Sequence, residues 1–154
     1  MNKLDRPLEV TDYEADYALW CAEQGALLRE GRFDSLDREN LAEEIESLGR
    51  SERYEIDSRL KVLLLHLLKW RFQPQGQSGS WKASIREQRQ RIARRLRDSP
   101  SLKQYPAEVM AEEYELAVPR AADETGLPED TFPAECPFTI EQVLDPHWLP
   151  EAAE

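Results

Sequence analysis

The stretch from Glu39 to Phe72 limits what this chain can become more than any other part of it. Leu41, Ile45, Leu48, Ile56, Leu60, Leu63 and Leu67 recur at steps of 4, 3, 8, 4, 3 and 4, the spacing that stacks side chains on one face of an α-helix. The step of 8 passes over Glu52, which shares that face. Further on, Val62-Leu63-Leu64-Leu65-His66-Leu67-Leu68 is apolar nearly all round, as a helix covered on every side must be. Gly49 breaks neither phase nor face, although glycine costs about 1 kcal/mol against alanine in a helix. One helix of roughly 50 Å is predicted, longer than a compact domain of this size is wide, with a kink at Gly49 as the alternative. Asp37 offers the N-cap, and Leu36 with Leu41 a hydrophobic staple.

The remaining segments follow from that helix. Residues 1–10 read as a loose arm. Thr11 or Asp12 can cap a first helix from about Tyr13 to Glu30, with Tyr13, Tyr17, Trp20, Cys21, Gln24, Leu27 and Leu28 at helical spacing and Gly31 as its C′ residue. The short link Arg32–Leu36 makes consecutive helices antiparallel. Gln73 to Ser80 is the clearest loop; Ser80 can cap a third helix from Trp81 to Arg97, with a thin stripe of Trp81, Ile85, Ile92 and Leu96. Pro100 suits a short turn reaching Tyr105, and Pro106 opens a fourth helix with Met110, Tyr114, Ala117 and Ala121 inward. Pro119 should kink it, and Gly126 and Pro128 stop it. Beyond residue 126 lie five of the ten prolines. Thr139 with Gln142 fits a capping box, and Leu127, Phe132, Phe138, Val143, Leu144, Trp148 and Leu149 would pin the tail to the bundle. No stretch alternates as a strand does. The expectation is one all-α domain over residues 1–154: a bundle of about four main helices around a long central helix, with a proline-rich acidic C-terminal tail packed on it.

Charge narrows the function classes. The net charge is −11, which disfavours whole-protein attraction to nucleic acid or to an anionic membrane surface. No apolar run approaches the roughly 18 residues of a membrane span. Met1 to Val10 holds Asp5, Pro7 and Glu9 and has no signal-peptide core. Cys21 and Cys136 are far apart, without CxxC spacing, as expected of two thiols in a reducing cytoplasm.

The charge is also uneven. No Lys or Arg follows Arg120, whereas nine carboxylates do. Lys82, Arg86, Arg89, Arg91, Arg94, Arg95 and Arg97 against Glu87 alone give +6 within sixteen residues, leaving −17 for the rest. Such a helix can track phosphates, because arginine presents a planar fork of donors. The plainer expectation is neutralisation by Asp37, Glu39, Glu43, Glu44, Glu46, Glu52, Glu55 and Asp57 of the long helix, or by the acidic tail.

Three other features could carry chemistry. His66, the one histidine in the helical core, shares a side with Glu52 and Arg59. Inward carboxylates and histidines build metal or acid/base sites in bundles, so His66, Glu44, Glu52 and Glu87 form a candidate polar site. The Glu-x-x-His spacing is absent, however, since Leu63 stands three before His66, and a packed core histidine is the plainer expectation. The Gln73–Ser80 loop, between Trp70 and Trp81, could hold an anion at a helix N-terminus, but it lacks the GxxxxGK[ST] fingerprint. No GxSxG occurs, and nothing else announces an enzyme. No cofactor or metal is implied.

Several segments carry a family resemblance: Glu39-Asn40-Leu41-Ala42-Glu43-Glu44-Ile45-Glu46-Ser47-Leu48-Gly49-Arg50-Ser51-Glu52, Leu65-His66-Leu67-Leu68-Lys69-Trp70, Ser80-Trp81, Ile85-Arg86-Glu87-Gln88-Arg89, and the tail motifs Leu127-Pro128, Phe132-Pro133 and Cys136-Pro137-Phe138-Thr139. Over about residues 11–150 the chain resembles the bacterial domain-of-unknown-function family numbered twenty-nine. The resemblance implies a small, mostly helical protein of a bacterial cytoplasm and brings no catalytic residue with it. The function expected first is a non-enzymatic interaction or binding protein, with a protein partner or a second copy of itself. The alternatives are a metal or acid/base site at His66, and an acidic partner, nucleic acid less readily, on helix 82–97.

Overall fold

The computed structural model describes residues 10–154, so the arm expected over residues 1–10 lies, but for Val10, outside the described residues. The chain folds as an all-α bundle: α1 (Tyr17–Arg29), α2 (Arg38–Phe72), α3 (Gly79–Asp98), α4 (Tyr105–Thr125) and the short α5 (Ile140–Leu144), with no strand among the described residues. α2 is one continuous helix through Gly49, where an added Cβ would meet open space. The contacts divide the chain into two compact units, one up to Arg50 and one of Ser51–Glu154. α2 runs through both.

In the first unit, α1 begins later than Thr11 or Asp12 would place it. The Thr11 hydroxyl and N–H both donate to Glu23 at 2.8 Å, and Asp12 closes a tight turn by accepting Ala15 N–H. Asp16 becomes the cap, its side chain accepting Leu19 N–H at 3.0 Å. The far end is a Schellman motif: Gly31, at φ +71°, donates to Leu28 O, and Arg32 donates to Leu27 O. Asp37 joins the two helices of the hairpin. Its carboxylate caps α2 through Asn40 N–H and accepts Trp20 Nε1–H at 3.0 Å, and its own N–H donates to Gln24 Oε1 at 2.8 Å. Trp20, Gln24 and Leu27 are buried. The stripe that predicted α2 is not buried here: Ile45 is 65% and Leu48 70% exposed. Periodicity reports a face and leaves open whether anything covers it.

In the second unit the same stripe is the core. Leu60, Leu63, Leu64, Leu65, Leu67 and Leu68 are fully buried and pack with Ile85 and Ile92 of α3, Tyr114, Ala117 and Ala121 of α4, and Phe132, Phe138 and Val143 beyond them. α3 is capped by Ser78, whose hydroxyl accepts Trp81 N–H, rather than by Ser80. The helix thus starts two residues earlier, and the Trp81 ring lies over Gly76, where a Cβ would stand 2.6 Å from the ring. Lys69 Nζ lies 4.5 Å from the centre of the same ring and 2.8 Å from Glu124. α4 runs on through Pro119 to Thr125 and ends at Gly126, φ +73°. The capping box of Thr139 and Gln142 is present. Helix side chains hold the irregular tail by its carbonyls: Tyr114 Oη donates to Pro133 O at 2.6 Å, and Arg89 Nε to Val143 O at 2.8 Å.

One buried group in this unit works against stability. Glu113 is 6% exposed, and its Oε2 has no hydrogen-bond partner among the described residues. Burial, and then the nearby Asp57 charge, raise its carboxyl above the ordinary 4.5, with Lys61 opposing. The native state therefore holds this proton to higher pH than the unfolded chain does, so its contribution falls as pH rises from about 4.5 through the native value. Glu113→Gln is expected to add about 1 kcal/mol at pH 7.5 and little at pH 4. Urea unfolding at the two pH values checks this; an equal effect at both would remove the charge as its cause.

Candidate functional site

Helical spacing brings Lys82, Ile85, Arg86, Arg89 and Ala93 to one face of α3, at steps of 3, 1, 3 and 4. Together with Leu144, Pro146, His147 and Leu149, from the end of α5 and the backbone after it, they line a cavity of about 600 Å³, within the range of small-molecule sites. No carboxylate of the described residues lines it. Arg89 is the fixed group at its floor. It is 6% exposed, with Nε on Val143 O and Nη2 on Gln142 O at 3.3 Å. Burial lowers its pKa while Asp145, outside the wall, opposes that; the guanidinium stays charged. Its two carbonyl partners are neutral, so its charge is solvated by dipoles and, among the described residues, has no ion pair. Lys82 and Arg86 are exposed and, among the described residues, make no ion pair.

A second cavity, about 530 Å³, flanks the same helix and is lined by Arg91, Arg94, Arg95, Arg97 and a single acid, Glu55. Gln90 and Ala93 border both cavities, so the two groups of cations adjoin along α3. Its internal neutralisation is slight. Arg95 meets Glu52 at 3.1 Å, and Arg91 meets Glu87 of its own helix at 3.0 Å; Arg94 and Arg97 have no ion-pair partner among the described residues.

The acidic residues of α2 that were expected to cover this helix are mostly engaged elsewhere. Glu43 and Glu46 pair with Arg50, and Glu55 with Arg59. Asp57 accepts Tyr105 Oη–H at 2.7 Å; burial first, and then this bond, push that phenol up to about 12. Glu44 accepts the hydroxyls of both Tyr13 and Tyr17. Those two bonds lower the Glu44 carboxyl, and the Tyr13 phenol rises to about 12 in consequence.

The four residues of the polar site around His66 are thus placed with separate partners: Glu44 with the tyrosines, Glu52 with Arg95, Glu87 with Arg91. His66 is part-buried, and its Nδ1–H donates to Val62 O at 2.8 Å, which leaves the lone pair on Nε2. Burial lowers its pKa. Among the described residues no group of three or more His, Cys, Asp or Glu could hold a metal ion. The Gln73–Ser80 loop is occupied by its own bonds: Gln73 Nε2 donates to Thr125 O and Gln77 Nε2 to Trp70 O, both at 3.0 Å.

Sequence reasoning found Lys82, Arg86 and Arg89 but missed the tail wall. The available signal was the set of apolar residues among the prolines after Leu144; nothing in their spacing says which helix they face. A family model described as "Domain of unknown function DUF29" matches residues 13–149. No curated protein and no solved structure matches the chain.

Proposed function

The chain belongs to the DUF29 family, and from that premise we propose that it is a non-enzymatic binding protein whose working surface is the cationic face of α3. One observation carries this reading: Lys82, Arg86 and Arg89 share a cavity wall with no carboxylate among its lining residues, and Asp145, just outside it, acts on Arg89 alone without an ion pair among the described residues. Unpaired cations converging on a concavity favour an acidic partner. A short acidic segment suits the site better than a long polyanion. At physiological salt only charges within about 8 Å act strongly, so a short ligand meets the local +6, whereas a long nucleic acid also meets the acidic remainder. Two unpaired thiols, Cys21 and Cys136, support a reducing cytoplasm as its setting, and no helix among the described residues is long and apolar enough to cross a membrane.

Calorimetric titration with a hexaglutamate peptide tests the reading. Binding is expected at low salt, weakening as salt rises, and falling at least tenfold in the Lys82→Glu, Arg86→Glu double variant; both side chains are exposed, so the fold is kept. Equal binding by the variant would sink the proposal. Tighter binding to single-stranded oligonucleotide than to the peptide would move the partner to nucleic acid.

A further inference from the structure

The cavity between α3 and the tail is not uniformly polar. Lys82, Arg86 and Arg89 stand on one side, and Leu144, Pro146 and Leu149 form a hydrocarbon wall opposite, with Ile85 at the back. A purely ionic peptide would leave that wall bare. We propose that the cavity is a site for a small amphipathic organic anion: a carboxylate or phosphate monoester head on Arg86 and Arg89, and a ring or short hydrocarbon body against Leu144, Pro146 and Leu149. This rests on the reading of α3 as an anion-binding surface and adds the ligand class.

Three features support it. Arg89 is more than nine-tenths buried and its Nε and Nη2 are held by Val143 and Gln142 carbonyls, so the guanidinium is oriented before any ligand arrives and little side-chain entropy is lost on binding. Arg86, one turn earlier on the same face, is exposed and adds a second fork for the same head group. The volume of about 600 Å³ admits a one- or two-ring body, and the tail wall offers no hydrogen-bonding side chain other than His147.

The test uses the full chain and four probes at equal ionic strength: 1-naphthyl phosphate, 1-naphthoate, inorganic phosphate and 1-naphthol. Either naphthyl anion is expected to bind at least tenfold tighter than phosphate or naphthol, and the stronger of the two identifies the head group. Ala93→Trp, an exposed wall position, is expected to cut naphthyl-anion binding at least tenfold by filling the space, without changing charge. Lys103→Gln, exposed and outside the cavity, controls for lost positive charge. If phosphate and the naphthyl anions bind equally, the apolar wall plays no part and the ligand class is wrong, while hexaglutamate binding would still stand. If Ala93→Trp binds the naphthyl anions as the parent does, the ligand sits elsewhere and the proposal is overturned. If hexaglutamate and the naphthyl anions all fail to bind, both readings fall together.

Discussion

Leu63→Ala is expected to destabilise the second unit by about 3 kcal/mol, whereas Leu48→Ala should change stability by no more than about 0.5 kcal/mol. The two leucines belong to one stripe of one helix and make the same chemical change. Leu63 is fully buried among α3, α4 and the tail, while Leu48 is 70% exposed. Deleting the Leu63 methyls both loses their transfer energy and opens a cavity that a helix packed on every side cannot close. At Leu48 the deleted atoms were already in water, and alanine's better helix propensity offsets what remains. Chemical unfolding of the two variants, followed by the signal of Ser51–Glu154, checks the contrast. Comparable losses at both positions would mean that Leu48 is covered in solution.

The second large effect is expected at Trp20. It is the main apolar anchor of the first unit, with Leu27 the only other hydrophobic residue buried there among the described residues. The Tyr13 ring packs edge-on against it at 4.9 Å, and its indole N–H reaches Asp37. Trp20→Ala should cost about 3–4 kcal/mol, enough to open a hairpin whose remaining ties are capping bonds and the Glu44–tyrosine pair. Trp20→Phe keeps most of the ring and loses the bond to Asp37, so about 1 kcal/mol is expected. Hydrogen exchange reads the result directly: amides of α1 and of the first turns of α2 lose protection in the alanine variant and keep most of it in the phenylalanine variant. Unchanged protection in Trp20→Ala would show that the hairpin is held by something other than this anchor.

How far the sequence could be read depended on whether a feature was local. The 3.6-residue period of α2, the glycines at Gly31 and Gly126, the Asp37 cap and the Thr139–Gln142 box all act within one turn or so of chain, and each is where the pattern put it. The starts of α1 and α3 were misplaced because two caps competed: Thr11 was drawn to Glu23, and Ser78 took the role given to Ser80. Pairing of charges was less legible still. The carboxylates from Asp37 to Asp57 balance the arginines of residues 82–97 in composition, yet among the described residues the ion pair between the two sets is Glu52 with Arg95; Arg50, Arg59 and the tyrosines take Glu43, Glu46, Glu55, Glu44 and Asp57 instead. The candidate site was half legible for the same reason. Its cations lie on one helix face, while Leu144 ends the five-residue α5 and Pro146 and Leu149 come from irregular backbone whose path no periodicity encodes.

The manner in which the tail is held has a consequence for biosynthesis. Phe132, Phe138 and Val143 complete a core whose other members lie on α2, α3 and α4, and residues 126–150 reach it by bonds from Tyr114 and Arg89 rather than by a ladder of their own. A ribosome adds about 5–20 residues per second, so for about a second or more a nascent chain can hold its three large helices while the aromatic seal is still unmade. During that interval the leucines of α2 border an open seam. Chaperone capture and misassociation should therefore concentrate on partly made chains that stop short of Phe132.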